Sequence, residues 1–399
     1  MRHFASIATV ATATAAVFVF TACGGGSGQS TPALTPTVPS AAAGANSSLG
    51  AAALDTDHSD DRGPNPATPV LKRLNTITTI GSTVDPIDGD QNPYGLDIAK
   101  SDSGPLHAGD LVVCNFNDSN ALGNVQGTGT TIVALRPQPG SAPTHVAQSA
   151  DLLGCTALAL APNDAIWAAA FAANDNPIVS PNGAILTTLA GGPWHGPLGE
   201  TFAGRADHRR AAAFYESNAG DGSIVRINSI SGKSFTFDVI ATGFPINGGA
   251  PGGILGPSGL QYDAQQDRLY VVDGANNAVY ALRHVSTIPA HGLSVDPGGT
   301  SFGGPFAHRA RVVFSGAPLN GPISSALMPG GSLVIGNTLD PNGTNLMVEI
   351  SPSGRLLAVK NVDTGPAGAL FGMVGAGSAE SPRLYFNDDN DNTVKVLTQ

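Results

Sequence analysis

Two distant stretches of the chain are copies of one unit. Arg268-Leu269-Tyr270-Val271-Val272-Asp273-Gly274-Ala275-Asn276-Asn277-Ala278-Val279-Tyr280 and Arg383-Leu384-Tyr385-Phe386-Asn387-Asp388-Asp389-Asn390-Asp391-Asn392-Thr393-Val394-Lys395 both give strand, polar turn, strand. Asn, Asp and Gly tolerate positive φ and hydrogen-bond their own backbone, so the middle of each copy is a hairpin turn. Four weaker copies follow the same scheme. Leu111–Asn115 leads to Thr131–Leu135, Ile166–Ala170 to Pro177–Val179, Ala213–Glu216 to Ser223–Ile227, and Leu333–Asn337 to Leu346–Ile350. Six copies make a repeat architecture the first constraint on the fold.

Each copy is preceded by another strand, often opened by Gly and Pro, as at Asn92-Pro93-Tyr94-Gly95-Leu96, Gly256-Pro257-Ser258-Gly259-Leu260 and Gly365–Leu370. Most are followed by a fourth strand, such as Phe235–Ile240, Arg311–Phe314 or Leu356–Val359. No stretch sustains a 3.6-residue period, and 51 Gly and 30 Pro supply the turns that so many short strands need. Four strands, six times over, predict an all-β chain folded as a six-bladed β-propeller, with stacked sandwiches or seven blades as rival all-β arrangements. The sixth copy stops at Gln399 after three strands. Asn75–Ile80 is an orphan strand at the other end, so an N-terminal strand is predicted to complete the last blade and remove its open edge.

The first residues form a separate segment. Met1-Arg2-His3 is a basic start, Ser6–Phe20 is uncharged and apolar, and Thr21-Ala22-Cys23-Gly24 follows. The run is short for a membrane span and ends in small residues, as an h-region and cleavage site do. It resembles the lipobox of bacterial lipoproteins, with Phe20 where Leu is usual. The resemblance implies a signal peptide over 1–22 and lipidation at Cys23; the rival is an ordinary secretory signal cut elsewhere. Residues 23–70 are then the lipidated Cys and a Gly/Ser/Pro/Ala linker too poor in large apolar residues to fold. The propeller occupies 71–399. The expected location is the bacterial cell envelope, lipid-anchored and facing the periplasm or the surface. Two cysteines remain, Cys114 and Cys155, and an oxidising compartment invites a disulfide between them, against two buried thiols as the alternative.

The Leu-Tyr-Val-Val-Asp-x-x-Asn-Asn-x-Val core resembles the NHL-repeat propellers and their relatives in the gluconolactonase-like superfamily. That resemblance covers 71–399 and is sharpest in the fourth and sixth copies. It implies a ligand or metal site at the central channel, but this chain has Gln91-Asn92-Pro93-Tyr94 where those enzymes open blade one with a Glu-Gly-Pro-like motif.

Several motifs are set aside on physical grounds. Gly299-Thr300-Ser301-Phe302-Gly303 matches Gly-x-Ser-x-Gly but lies in a Gly/Pro-rich loop, not on the strand–turn–helix of a nucleophile elbow. Gly123–Gly129 is glycine-rich but precedes no helix that would cradle phosphate. A formal net charge of −11 argues against nucleic acid as a partner.

The candidate ligand-binding residues are those where second strands end at the channel mouth: Asn115, Glu216, Asp273, Asn337 and Asp388, with His195 where an inner strand starts. Asp273 and Glu216 are the candidate metal ligands, and calcium is the divalent cation that such oxygens suit. The competing reading is that each Asn or Asp caps its own turn. Two functions follow: a binding module for a protein or small-molecule ligand, held to the membrane by its lipid anchor, or a metal-assisted hydrolase or lyase of the gluconolactonase-like type.

Overall fold

The structure is a computed structural model and describes residues 68–120, 123–204, 213–230 and 234–399. Cys23, the leader and most of the linker lie outside the described residues. The chain forms six blades, each built on four antiparallel strands in sequential order. The inner strands are Gln91–Ile98, Cys155–Leu160, Pro197–Ala203, Pro257–Asp263, Pro322–Leu327 and Leu370–Gly377. Each packs against the inner strand of the next blade, and the sixth returns to the first, so the ring is closed.

Close inner-strand packing requires small residues. A Cβ on Gly199 would stand 1.9 Å from Ser258 O, and one on Gly372 would stand 2.4 Å from Tyr94 O. Gly95, Ala157, Gly259 and Ser324 hold the matching place in the other blades. The recurrent Pro-x-Gly of the sequence therefore marks the start of an inner strand and its contact with the next blade.

The predicted closing strand is present. Thr76–Ser82 pairs antiparallel with Thr393–Thr398, in a register that puts Thr76 opposite Thr398 and Thr78 opposite Val396. Just before it, Val70–Arg73 forms one helical turn. Glu349 from blade five accepts from Val70 N and Leu71 N, both at 2.9 Å, and Ser332 donates to the same carboxylate. Leu71 and Leu74 are buried among Met347, Leu384 and Leu397. Each fully buried leucine contributes about 2 kcal/mol. The folded part thus includes Val70, one residue before the predicted boundary.

The hairpin turns explain the asparagines of the repeat. Asn174, Asn277 and Asn392 lie at φ of 55°, 49° and 53°, the left-handed region that Asn tolerates. Their side-chain oxygens accept from Gly196 N (2.9 Å), Gly321 N (2.7 Å) and Asn92 N (2.7 Å). Each acceptor sits in one blade and each donor at the start of the next blade's inner strand, Gly196 and Gly321 just ahead of it and Asn92 as its second residue. The turn residue therefore stitches neighbouring blades together.

Blades one and two carry a further link. Cys114 in the second strand of blade one and Cys155 in the inner strand of blade two form a disulfide, with Cα atoms 5.9 Å apart. One addition lies outside the repeat: Leu293–Val295 pairs parallel with Ser234–Thr242 and antiparallel with Phe302–Gly303, extending blade three outward. The Gly-x-Ser-x-Gly match falls in this hairpin. Asp296 organises its loop by accepting from Thr300 N (2.7 Å) and Ser301 N (2.6 Å). Ser301 is a loop residue with no strand–turn–helix around it.

Candidate functional site

Strand register defines the level at which second strands end. Pro93 stands opposite Asn115, Pro257 opposite Asp273, Pro322 opposite Asn337 and Leu370 opposite Asp388. In blade three Pro197 stands opposite Asn218, not Glu216. The second strand there runs through Ser217 and Asn218 before turning, so Glu216 lies two residues deeper than the repeat position assigned to it.

The residues at this level bond mainly to the chain's own loops, although Asn115 Oδ1 and Asp273 Oδ2 are buried without a partner. Asn115 donates to Thr83 O (3.0 Å) and Thr131 Oγ1 (3.2 Å). Asn218 donates to Pro193 O (2.8 Å) and accepts from His195 N (3.2 Å). Asn337 does the same in blade five, donating to Pro318 O (2.8 Å) and accepting from Asn320 N (3.1 Å). Asp388 accepts from Asn390 N (3.2 Å) and from Lys395 Nζ (2.6 Å). Asp273 Oδ1 accepts from Ala275 N (2.9 Å) and Asn276 N (3.2 Å), both in its own turn. Burial pushes the Asp273 carboxyl up to about 7, against the lowering effect of those two bonds. The His195 ring is mostly exposed, 3.9 Å from Asp221. For Asp273 the geometry is that of a turn cap, because short polar side chains at strand ends reach their own backbone first.

Among the described residues no group of three or more His, Cys, Asp or Glu side chains is arranged to hold a metal ion. Asp273 and Glu216 lie in different blades and share no hydrogen-bond partner. Calcium takes six to eight oxygens, and no acidic cluster of that kind is formed among the described residues.

The channel mouth, expected to be polar, is apolar. Tyr94 stacks on Phe371 with ring centroids 3.6 Å apart and on Phe116 at 4.3 Å. Phe171, Ile254 and Ile323 complete a narrow cavity of about 10 Å³, which Pro251 and Gly252 also border. The first side chains of the inner strands point here, and the repeat supplies large apolar residues at that place in four blades: Tyr94, Leu198, Ile323 and Phe371.

Next to this layer lies a second void of about 80 Å³, bordered by all six inner strands. One level of the wall is Leu96, Leu158, Leu260 and Met373 in four blades, Ser325 in blade five and Glu200 in blade three. Glu200 stands directly opposite Glu216 in the antiparallel register. Asn176, from blade two, donates to Glu200 Oε1 (3.3 Å) and to Glu216 Oε2. Burial pushes the Glu200 carboxyl up to about 8, partly opposed by the Asn176 bond. Burial and then the nearby Glu200 push Glu216 well above the carboxylate range. Two carboxyls so close in a low-dielectric wall cannot both ionise at neutral pH. Glu200 Oε2, Glu216 Oε1 and Asn176 Oδ1 are buried with no partner.

Glu216 was among the predicted site residues; Glu200 and Asn176 were not. The signal for Glu200 was present. Glutamate occurs only at 200, 216, 349 and 380, and Pro197-Leu198-Gly199-Glu200 breaks the Pro-x-Gly-Leu pattern of Pro93–Leu96 and Pro257–Leu260. Asn176 left no trace in the pattern, because it acts from a neighbouring blade.

No protein-family model and no curated protein sequence matches the chain. Solved structures do. A structural-genomics target with a provisional gluconolactonase name superposes with a TM-score of 0.50 at 12% identity, covering 84% of this chain and 97% of that one. Virginiamycin B lyase from Staphylococcus aureus gives 0.49 at 12% identity, covering 81% and 99%. A chain of the nidogen/laminin complex gives 0.47 at 16% identity, covering 72% and 85%. At these identities the likeness is one of fold alone: the chain is a six-bladed β-propeller.

Proposed function

We propose that the chain is an exported, lipid-anchored binding module whose propeller receives an apolar group of its ligand at the channel mouth. The observation that carries this reading is the aromatic cavity of Tyr94, Phe116, Phe171 and Phe371. Ligand sites are concave and mostly apolar, and propellers place them on the axis. A glycine-rich stretch, Gly248–Gly253, runs beside it with Gly248 and Gly252 at positive φ, a backbone that can accommodate an incoming group. The anchoring half of the proposal rests on Thr21-Ala22-Cys23. A metal-assisted hydrolase or lyase needs carboxylates converging on an ion, and no catalytic step is assigned through one.

The test uses residues 68–399 and the fluorescent apolar probe anilinonaphthalene sulfonate. Binding should be saturable and weaken about tenfold in Phe171→Ser, whose ring is only partly buried and contributes little to the core. Equal binding by the variant and the parent overturns the mouth as the site.

A further inference from the structure

We propose that the channel wall at Glu200 receives the ammonium group of an aliphatic amine, with Glu216 and Asn176 completing its hydrogen-bond acceptors. The proposal rests on the reading of the propeller as a binding module, but places a second recognition element at a different depth. Three observations carry it.

The first is placement. Glu200 borders the second void on a level that is otherwise Leu96, Leu158, Leu260, Met373 and Ser325. Four of six wall positions thus offer hydrocarbon and one offers a carboxyl. A linear alkyl chain with one cationic end matches that distribution, since its stem contacts the leucines while its head meets the acid.

The second is unspent hydrogen-bonding capacity. Glu200 Oε2, Glu216 Oε1 and Asn176 Oδ1 are three acceptors without donors, and Asn176 and Glu216 are fully buried. While the pair is neutral its own carboxyl O–H groups can serve these oxygens, so an incoming cation must replace the carboxyl proton together with its hydrogen bond. A primary ammonium has three N–H donors and no acceptor, which matches the three oxygens once that proton has left.

The third is charge. The ionisable groups acting on the pair are Asp97, from blade one, and Asp175, from the blade-two hairpin; both are acidic. Among the described residues no lysine or arginine hydrogen-bonds either glutamate. An ion pair in such a wall is strong only when the head group is held by hydrogen bonds as well as by charge, and here both are on offer.

Calorimetric titration of residues 68–399 with hexylammonium chloride tests the proposal, with hexanol, sodium hexanoate and sodium chloride as matched controls. Hexylammonium should bind saturably, while hexanol and hexanoate should bind about tenfold more weakly or not at all. Glu200→Gln should lose at least that factor for the amine and leave probe binding at the aromatic mouth unchanged, so failure at this level is distinguishable from failure of the mouth site. Equal affinity for amine and alcohol overturns the proposal, as does displacement of the amine by sodium at equal ionic strength, which would make the pocket a site for small inorganic cations. If Glu200→Gln does not fold, the ligand selectivity of the parent chain and the behaviour of Glu216→Gln decide the matter by the same criteria.

Discussion

Glu200 and Glu216 face each other across two antiparallel strands of blade three, and one amide, Asn176 of blade two, donates to both. A like-charged pair at directly opposed positions destabilises a sheet when both members are ionised. The fold accommodates it by keeping the pair protonated and by using it to join two blades.

Stability should therefore depend on pH in a direction opposite to that of an ordinary salt-bridged carboxylate. Glu200 titrates at about 8 in the folded chain and at 4.5 when unfolded, and Glu216 shifts the same way. The folded state holds more protons across that window, so stability is full below it and falls as pH rises through it. Asp273 and Asp389, both pushed up to about 7 by burial, act with the same sign. Thermal melting should give a lower Tm at pH 8.5 than at pH 6, reflecting a stability loss on the order of a few kcal/mol. Glu200→Gln should flatten the curve. A Tm that climbs from pH 6 to 8.5 contradicts the protonated pair.

Removing the first sixty-seven residues should leave the Tm within about a degree or two of the longest soluble form, because that segment is poor in large apolar residues after Cys23 and the core contacts of the described residues start at Val70. Removing residues 1–82 deletes the outer strand of blade six and the helical turn held by Glu349. That truncation should be insoluble or lose cooperative unfolding by calorimetry. Equal melting of the two forms would refute the closure.

The turn stitches make a graded prediction at Asn277. Asn277→Gly keeps the positive φ but loses the bond to Gly321 N, at a cost of about 1 kcal/mol. Asn277→Ala loses the bond and strains the backbone as well, for about 2–3 kcal/mol. Denaturant unfolding of both variants checks the order.

Reduction should open the link between blades one and two. The disulfide closes a loop with a sequence separation of 41, worth about 4 kcal/mol in the chain-entropy account. Cys114→Ser with Cys155→Ser should lower the Tm accordingly, and reductant should have no further effect on that variant. Reductant that leaves the parent's Tm unmoved refutes the role.

The propeller was legible because its determinants are local and repeated. Asp273 and Asp388, with Asn277 and Asn392, mark the same turn in two copies, and turns of that chemistry space the strands. The closing strand followed from counting. The site was less legible for two reasons. Sequence places Asn115, Asn337 and Asp273 at the mouth but does not say where their short side chains turn, and they turn to their own loops. The repeat is also strongest in the second strands, where Ala213–Glu216 matches the other copies although the true register pairs Pro197 with Asn218, and it carries no mark of the inner-strand level that holds Glu200. A buried glutamate shows as a broken pattern only once the register is known.

The Glu349 carboxylate has a mechanical consequence. Whatever pulls on this molecule from the N-terminal side must act through Pro69, and the first bonds to bear the load are those from Val70 N and Leu71 N to that single side chain. Next in line is the ladder between Thr76–Ser82 and Thr393–Thr398, whose first rung, Thr76 to Thr398, lies almost at the other end of the chain. Tension is thus taken up between blade five and the seam of blade six. The inner strands around the axis would feel it only after that seam has opened.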